Sequence, residues 1–216
     1  MSEHLYTYIN PPNERHLQAI CQLLKNDGLI AIPTDTNWAF CCAATSRKAQ
    51  QRIALIKPNR PVSQPFSLLC TDISMASTIT KIGHKSYRLL KQVWPGPYTI
   101  ILKSGPQFPK RLKNKRETVG IRIPNEVITL EIIRAYGEPL IATSIPALDN
   151  GTTLNMGYEV FEQYGHCLDL VVDIGEELPG TETTIFDFTR DDIELLRTGA
   201  GDPDILGIVS GNPQMN

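Results

Sequence analysis

Long apolar runs, a secretory signal and paired cysteines are all missing from this chain of 216 residues. No apolar stretch approaches the ~18 residues that a membrane span requires. Residues 1–5 lack the basic region and apolar core of a secretory signal. The five cysteines, at positions 21, 41, 42, 70 and 167, include no Cys-x-x-Cys spacing, which argues against a structural zinc site or a disulfide framework. We therefore expect a cytoplasmic protein that does not bind membranes, with reduced and buried cysteines.

Four motifs that identify common catalytic folds are also absent. The sequence contains no Gly-x-x-x-x-Gly-Lys, Gly-x-Gly-x-x-Gly, His-Glu-x-x-His or Gly-x-Ser-x-Gly. A P-loop or a Rossmann nucleotide site is therefore not expected. The histidines at positions 4, 16, 84 and 166 have no partner at metal-ligand spacing, so we expect them to be exposed or hydrogen-bonded and expect no metal site built by the protein.

The charge balance and the distribution of turn residues indicate one ordinary globular domain. Lysine and arginine number 21 against 23 aspartates and glutamates, so the net charge of −2 gives no whole-molecule attraction to nucleic acid. The 15 glycines and 16 prolines are spread along the chain and form no linker. We expect one domain over residues 1–206 and a loosely held tail over residues 207–216, where no periodicity is sustained.

The first predicted elements are a helix and a buried strand. Asn13 can cap a helix whose apolar residues at 17, 20, 21 and 24 share one face. Gly28 stands where a left-handed residue would end this helix. The apolar run 29–32 then predicts a strand that enters the polar turn Thr34-Asp35-Thr36-Asn37 after Pro33.

The same alternation continues along the rest of the chain. Helical patterns cover residues 48–56, 84–93, 127–136 and 158–164, and strand patterns cover 66–69, 98–102, 119–123, 140–142, 170–172, 184–188 and 193–196. Alternating strands and helices predict an α/β fold with a largely buried sheet.

Hydroxyl and cationic side chains follow or precede several of these strands, where α/β sheets bind their ligands. They are Thr34, Thr36, Ser67, Thr143 and Ser144, together with Lys57, Arg60, Arg122 and Arg197. Such a set can hold phosphates and a carboxylate without a P-loop, as phosphoryl or adenylyl transfer with Mg²⁺ requires. The alternative is that each residue only caps a turn or lies in solvent.

A basic segment interrupts the otherwise slightly acidic chain. Five cations fall within seven residues, namely Lys110, Arg111, Lys113, Lys115 and Arg116. The segment is a candidate nucleic-acid interface. It contains no aromatic residue to stack on bases, so a solvated loop or helix face is the alternative.

Several strings, taken in order, resemble the family of YrdC-type threonylcarbamoyl-AMP synthases, most closely its YciO branch. The strings are Pro33-Thr34-Asp35-Thr36, the Lys57/Arg60 pair before Pro61, residues 94–99, residues 118–124, residues 137–144 and residues 183–187. The YciO branch also shares Pro109-Lys110-Arg111-Leu112. The resemblance extends over residues 13–197.

This resemblance implies a twisted mixed α/β sheet, flanked by helices, with a concave basic cavity for ATP, L-threonine or a related amino acid, and bicarbonate. Members of the family join carboxylated threonine to AMP and release pyrophosphate, and a partner enzyme then modifies an adenosine of tRNA. Thr34 and Thr36 would line the threonine and phosphate region, Lys57 and Arg60 would grip the triphosphate, and Ser144 would contact phosphate. Ser67, Arg122, Thr143 and Arg197 would lie in or near the cavity.

Three positions depart from the family pattern. The Lys-x-Arg string is one residue longer, as Lys57-Pro58-Asn59-Arg60, and the Ser-x-Asn string becomes Ser144-Ile145-Pro146. Tyr-Gly after the first turn becomes Trp38-Ala39, which should narrow the pocket mouth. Because the loss of polar contacts affects substrate choice strongly, we expect an enzyme with weakened or altered amino-acid specificity. The alternative function is a noncatalytic module of the same fold that binds double-stranded RNA or tRNA.

Overall fold

A mixed sheet of ten strands with helices on both faces makes up the described part of the chain, in a computed structural model that covers residues 2–7, 12–58, 66–108 and 117–207. The predicted α/β class and the mixed sheet flanked by helices are confirmed. Arg60, the basic segment from Lys110 to Arg116, and residues 208–216 of the predicted tail lie outside the described residues.

The strands and helices alternate along most of the chain. In order they are β1 (Glu3–Tyr6), α1 (Glu14–Lys25), β2 (Leu29–Ile32), β3 (Ala39–Ala43), α2 (Arg47–Ile56), β4 (Ser67–Leu69), α3 (Ile73–Ile79), α4 (His84–Val93), β5 (Tyr98–Lys103), β6 (Thr118–Arg122), α5 (Val127–Tyr136), β7 (Leu140–Ser144), α6 (Gly157–Tyr164), a 3₁₀ turn (Gly165–Cys167), β8 (Leu170–Asp173), β9 (Thr184–Asp187) and β10 (Glu194–Arg197). The order across the sheet is β1-β8-β2-β3-β7-β4-β6-β5-β9-β10.

Both faces of the central strands are buried, which explains their unbroken apolar sequences. In β2, Leu29 and Ala31 enter one hydrophobic cluster, whereas Ile30 and Ile32 enter a second cluster on the other face. Helices α2, α3, α4 and α6 contribute to the first cluster. Helices α1 and α5 pack together over the second. Strands covered on both faces are continuous hydrophobic runs rather than alternating ones.

Helix α1 begins as predicted but ends differently. The Asn13 side chain accepts hydrogen bonds from the backbone N–H groups of Arg15 and His16, and the four predicted apolar positions are buried. The left-handed residue is Asp27, with φ 62°, so the prediction for Gly28 was wrong. Glycine is needed there for another reason, because a Cβ at Gly28 would lie 2.6 Å from the carbonyl oxygen of Leu23.

The patterns missed β1, β3 and α3. The cysteines are free thiols, but only four are buried. Cys167 is half-buried, contrary to prediction, because it ends a 3₁₀ turn in which His166 is exposed and only Gly165 is buried. His4 contacts Asp173 at 2.7 Å and His16 contacts the Thr7 hydroxyl at 3.0 Å, which agrees with hydrogen-bonded histidines. The described residues hold no group of three potential metal ligands, and none of their helices has the length and apolarity to cross a membrane.

Candidate active site

On the face of the sheet that carries the second hydrophobic cluster, one patch has small and hydroxyl-bearing side chains in place of large apolar ones. Residues opposite one another across adjacent strands point to the same face, as do residues two apart along a strand. The opposed pairs on this face are Thr99 and Arg122, Ser67 and Gly120, Ser67 and Ala142, and Ala39 and Ser144. This patch forms the floor of a cavity. A Cβ at Gly120 would come within 3.1 Å of the Ser67 hydroxyl, so glycine at this position leaves space above the floor. The small side chains leave room for a ligand.

A cavity of about 110 Å³ lies over this floor. Its rim comes from the turn that follows β2, which includes Thr34 and Thr36, and from the loop Thr181–Glu182–Thr183 before β9. The two rims are joined, because the Thr181 N–H donates to the Thr36 carbonyl oxygen at 3.0 Å. From below, the Thr129 hydroxyl of α5 donates to the Pro33 carbonyl oxygen at 2.6 Å and anchors the turn. The polar turn is therefore a fixed wall.

Arg122, at the end of β6, brings a buried positive charge to this cavity and is only 9% exposed. Its Nη2 lies 2.6 Å from Asp35 Oδ1, 2.8 Å from Thr36 Oγ1 and 3.2 Å from Thr34 Oγ1. Two buried atoms of the same group, Arg122 Nε and Asp35 Oδ2, have no hydrogen-bond partner among the described residues. Both atoms are closed off from solvent, whereas the positive charge of Arg122 as a lining residue attracts an anionic ligand to the cavity.

The charges around Arg122 act on it in opposite directions. Burial lowers the pKa of Arg122, the carboxylate of Asp35 raises it, and the nearby charge of Arg197 lowers it again. An arginine guanidinium nevertheless stays protonated in proteins. A bound anion would relieve the repulsion between the two guanidinium groups, so the electrostatics favour an anionic ligand in this cavity.

Arg197, at the end of β10, forms the far wall. Its Nε donates to the Thr183 carbonyl oxygen at 3.0 Å and its Nη2 donates to Thr183 Oγ1 at 3.1 Å. Its Nη1 lies 2.9 Å from the carboxylate of Glu182. Thr183 Oγ1 also lies 3.0 Å from the hydroxyl of Thr99 on the floor. This chain of contacts ties the last strand to the floor of the cavity.

The glycine-rich loop after β10 permits this arrangement. A Cβ at Gly199 would overlap the backbone of Glu182 and Thr183, and a Cβ at Gly201 would overlap the Tyr98 ring. The buried Thr184 hydroxyl donates to the Gly201 carbonyl oxygen at 2.6 Å and accepts from the Gly199 N–H at 2.9 Å. The two glycines thus let the loop pack directly against the strand that carries the cavity wall.

A second, larger cavity of about 850 Å³ adjoins the first. The two share four lining residues: Thr143, Ser144, Glu182 and Arg197. Lys57, at the C-terminal end of α2, stands at their junction, where its Nζ donates to the Ser144 carbonyl oxygen at 2.6 Å and to Thr143 Oγ1 at 3.2 Å. The remaining wall includes Pro146, Asp149, Asn150, Gln163 and Tyr164. The site therefore has a small and a large compartment.

The sequence-predicted residues are largely brought together. Seven line the small cavity, namely Thr34, Thr36, Ser67, Arg122, Thr143, Ser144 and Arg197, and Lys57 lines the large one. The sequence reasoning missed Asp35, Thr99, Glu182 and Thr183, although each lies in or beside a string it had singled out. Among the described residues lining the two cavities, three cations stand beside two carboxylates, those of Asp149 and Glu182.

Trp38 is fully buried and lines the small cavity. Its indole Nε1 donates to the Asn155 carbonyl oxygen at 3.0 Å. The bulky ring is therefore a fixed part of the wall, and its size limits the space available to a ligand.

Comparisons with known proteins agree with this architecture. The chain is 32% identical over 203 residues to the uncharacterized protein YciO of Escherichia coli, covering 94% of this chain and 98% of that protein. The crystal structure of E. coli YciO superposes with a TM-score of 0.86, covering 95% of this chain and all of the other. A threonylcarbamoyl-AMP synthase of Klebsiella pneumoniae is 27% identical over 75% of this chain and 85% of its own length.

The same fold occurs in the crystal structure of Pyrococcus abyssi Sua5 complexed with L-threonine, with a TM-score of 0.78 at 24% identity, over 92% of this chain and 57% of that one. The family model Sua5_yciO_yrdC, which carries the description "Telomere recombination", matches residues 22–199. With most of its length matched and a relative at 32% identity over nearly all of it, the chain belongs to the Sua5/YciO/YrdC family.

Proposed function

We propose that this protein is an adenylate-forming enzyme of the threonylcarbamoyl-AMP synthase type, which uses ATP, bicarbonate and L-threonine or a related amino acid. The observation that carries the proposal is the pair of adjoining cavities with four shared lining residues. A reaction that joins a small acid to a nucleotide needs two compartments that open onto one another. The resemblance to named threonylcarbamoyl-AMP synthases supports the same reaction.

The small compartment is suited to the amino acid. Its volume of about 110 Å³ matches a small ligand rather than a nucleotide, and the positive charge of Arg122 in its wall favours a carboxylate. The hydroxyls of Ser67 and Thr99 on the floor can bond a polar side chain or bicarbonate. The complex of Pyrococcus abyssi Sua5 with L-threonine supports an amino acid as ligand of this fold.

The large compartment is suited to ATP. Lys57 at the junction and Arg197 in the shared wall can neutralise the triphosphate. The family resemblance assigns the same role to Arg60, which lies outside the described residues. Mg²⁺ is usually held by substrate phosphates with one or two carboxylates, and Asp149 and Glu182 provide carboxylates in this compartment. The donor set therefore fits a magnesium ion that enters with the nucleotide, where it would neutralise phosphate charge.

The proposed reaction has two chemical steps. The amine of the amino acid forms a bond to the carbon of bicarbonate, and water leaves, which yields a carbamate. A carbamate oxygen then attacks the α-phosphorus of ATP, and the bond to the β,γ-phosphates breaks to release pyrophosphate. The residues at the junction orient both reactants and balance the charge that develops on the leaving group.

Pyrophosphate release, measured with each of the twenty amino acids in the presence of ATP, Mg²⁺ and bicarbonate, tests the proposal. We expect pyrophosphate release that requires all four components. The side chains of Trp38 and Pro146 should determine which amino acid is preferred. Omitting bicarbonate provides the matched control, because simple aminoacyl adenylation would continue without it. Failure of every amino acid to stimulate release would contradict the proposal.

A further inference from the structure

We propose that the outward face of helix α4 binds an unpaired strand of nucleic acid, with its cations against the phosphates and the Tyr87 ring against a base. The face consists of the exposed side chains of this helix, namely His84, Lys85, Tyr87, Arg88, Lys91 and Gln92. None of them lines either of the two cavities. The proposal therefore concerns a second site and does not depend on the proposed enzymatic function.

Charge is distributed unevenly along the sequence. Residues 73–116 contain ten of the 21 lysines and arginines and none of the 23 acidic residues. The described part of the chain includes five of these ten cations: Lys81, Lys85, Arg88, Lys91 and Lys103. All five are exposed, and none forms an ion pair with a described residue. A chain with a net charge of −2 thus contains one region whose cations have no acidic neighbours in the sequence.

Helix α4 brings three of these cations into one row. Lys85, Arg88 and Lys91 follow one another at intervals of three residues, which places them on one side of the helix over about 9 Å of its axis. The other side carries Leu90 and Val93, which are buried in the first hydrophobic cluster. The packing of the helix therefore directs the row of cations to solvent.

This arrangement opposes the stability of the helix. Like charges three residues apart repel one another, and Lys85 in the first turn opposes the helix dipole. The N-cap residue, Gly83, makes no side-chain hydrogen bond, and the first turn contains no acidic residue. The Lys81 N–H donates to the Lys103 carbonyl oxygen at 2.8 Å, which places two further lysines near this end of the helix. Bound phosphates would relieve the repulsion, so the face is complementary in charge to a polyanion.

Tyr87 distinguishes nucleic acid from other polyanions. It is 47% exposed, and Lys91 Nζ lies 5.9 Å from the centre of its ring. Aromatic rings among cations are stacking platforms for unpaired bases. An acidic peptide would not need the ring, and a membrane surface would require several apolar anchors, of which this face has only Tyr87. A duplex keeps its bases stacked inside, so an unpaired strand fits the face best.

Two triple variants test the role of charge. One is Lys85→Gln/Arg88→Gln/Lys91→Gln, which neutralises the α4 face. The control is Arg15→Gln/Lys25→Gln/Lys48→Gln, which neutralises three exposed cations of helices α1 and α2 that also form no ion pair with a described residue. Both variants change the net charge equally. Fluorescence anisotropy measures the binding of labelled oligouridine, oligodeoxythymidine and heparin at several salt concentrations, and thermal unfolding verifies that each variant is folded.

The α4 variant should bind oligouridine or oligodeoxythymidine at least about tenfold more weakly than the wild type. Its slope of log affinity against log salt should be smaller in magnitude by about 2, since each phosphate contact with a single strand contributes about 0.7. The control should stay within about threefold of the wild type, because exposed charges far from the bound strand are screened. The wild type's preference for one of the two oligomers identifies RNA or DNA as the source of the strand. Pyrophosphate release should be the same in the α4 variant and the wild type, so failure of the enzymatic proposal leaves this test intact.

Tyr87→Leu and Tyr87→Phe test the contact with a base. Leucine removes the ring and should weaken oligonucleotide binding about tenfold, whereas phenylalanine keeps the ring and should bind like the wild type. Heparin, a polyanion without bases, should bind equally to both variants. Equal losses of oligonucleotide affinity in the two triple variants would overturn the site. Oligonucleotide binding that Tyr87→Leu leaves unchanged would overturn the assignment to nucleic acid and indicate a surface for polyanions in general.

Discussion

Replacing Lys57 by methionine tests the junction between the two compartments. Methionine keeps the length of the apolar stem but removes the ammonium group that contacts Ser144 and Thr143. A hydrogen bond to a charged partner contributes about 1.5–3 kcal/mol, so the loss of one Lys57–phosphate contact should weaken ATP binding by about 10- to 150-fold. The free energy of unfolding should fall by less than about 1.5 kcal/mol, since the half-buried side chain contributes little packing.

Calorimetric titration with ATP and Mg²⁺, combined with thermal unfolding of the same samples, measures both quantities. Lys48→Met is the matched control, because it removes the same charge from the exposed first turn of the same helix, far from its cavity end. If ATP affinity falls equally in both variants, the change in net charge explains the loss and Lys57 makes no specific contact with ATP. Unchanged affinity in a folded Lys57→Met protein would refute the assignment of Lys57 to the nucleotide site.

Further predictions concern specificity, stability and RNA. Pro146→Asn places an amide near Ser144 in the large cavity. It should raise the rate of threonine-dependent pyrophosphate release, by an amount that corresponds to about 1–3 kcal/mol of transition-state stabilisation. A folded variant whose rate does not increase would contradict a role of that amide in substrate binding. Thr184→Val should lower the free energy of unfolding by about 1–3 kcal/mol in urea titrations, because it leaves two backbone groups of the glycine-rich loop unpaired. Burial raises the pKa of Cys42 to about 12, so its neutral form stabilises the fold below the usual thiol pKa, and this contribution is lost as pH rises from about 9 to 12. Cys42→Ala should therefore reduce the pH dependence of the free energy of unfolding over that interval, and the buried thiols of Cys41 and Cys70, whose pKa values are also raised by burial, account for the part that remains. If RNA binds, replacing Lys113 and Lys115 by Glu should lower its affinity and the salt dependence of binding, whereas equal binding at low salt would indicate a solvated segment.

Local patterns were sufficient for five of the six helices in the described part of the chain and for most of its strands. Helices α4 and α5 have the predicted bounds, because each has a clear apolar stripe and a well-marked end. Strand β3 was missed, since Ala39–Ala43 contains no β-branched residue and follows a polar turn without a break signal. Short elements of this kind are determined by their neighbours in the sheet rather than by their own residues.

The site was only partly predictable for a different reason. Hydroxyls and cations beside strand ends were visible in the sequence, and most of them line the cavities. The contact between Asp35 and Arg122 joins residues 87 positions apart and depends on the order of the strands across the sheet. Sequence patterns contain no measure of that order, so Asp35 looked like an ordinary turn residue.

The position of β8 within the sheet has a consequence for the order of folding. This late strand lies between β1 and β2, and it provides the partner of Glu3–Tyr6 and one edge of Leu29–Ile32. During synthesis, the edge of a fully apolar strand therefore stays unpaired until residues 170–173 have left the ribosome. A nascent chain that stalls before this point exposes a surface prone to pair with other chains, so completion of the sheet depends on the last third of the polypeptide.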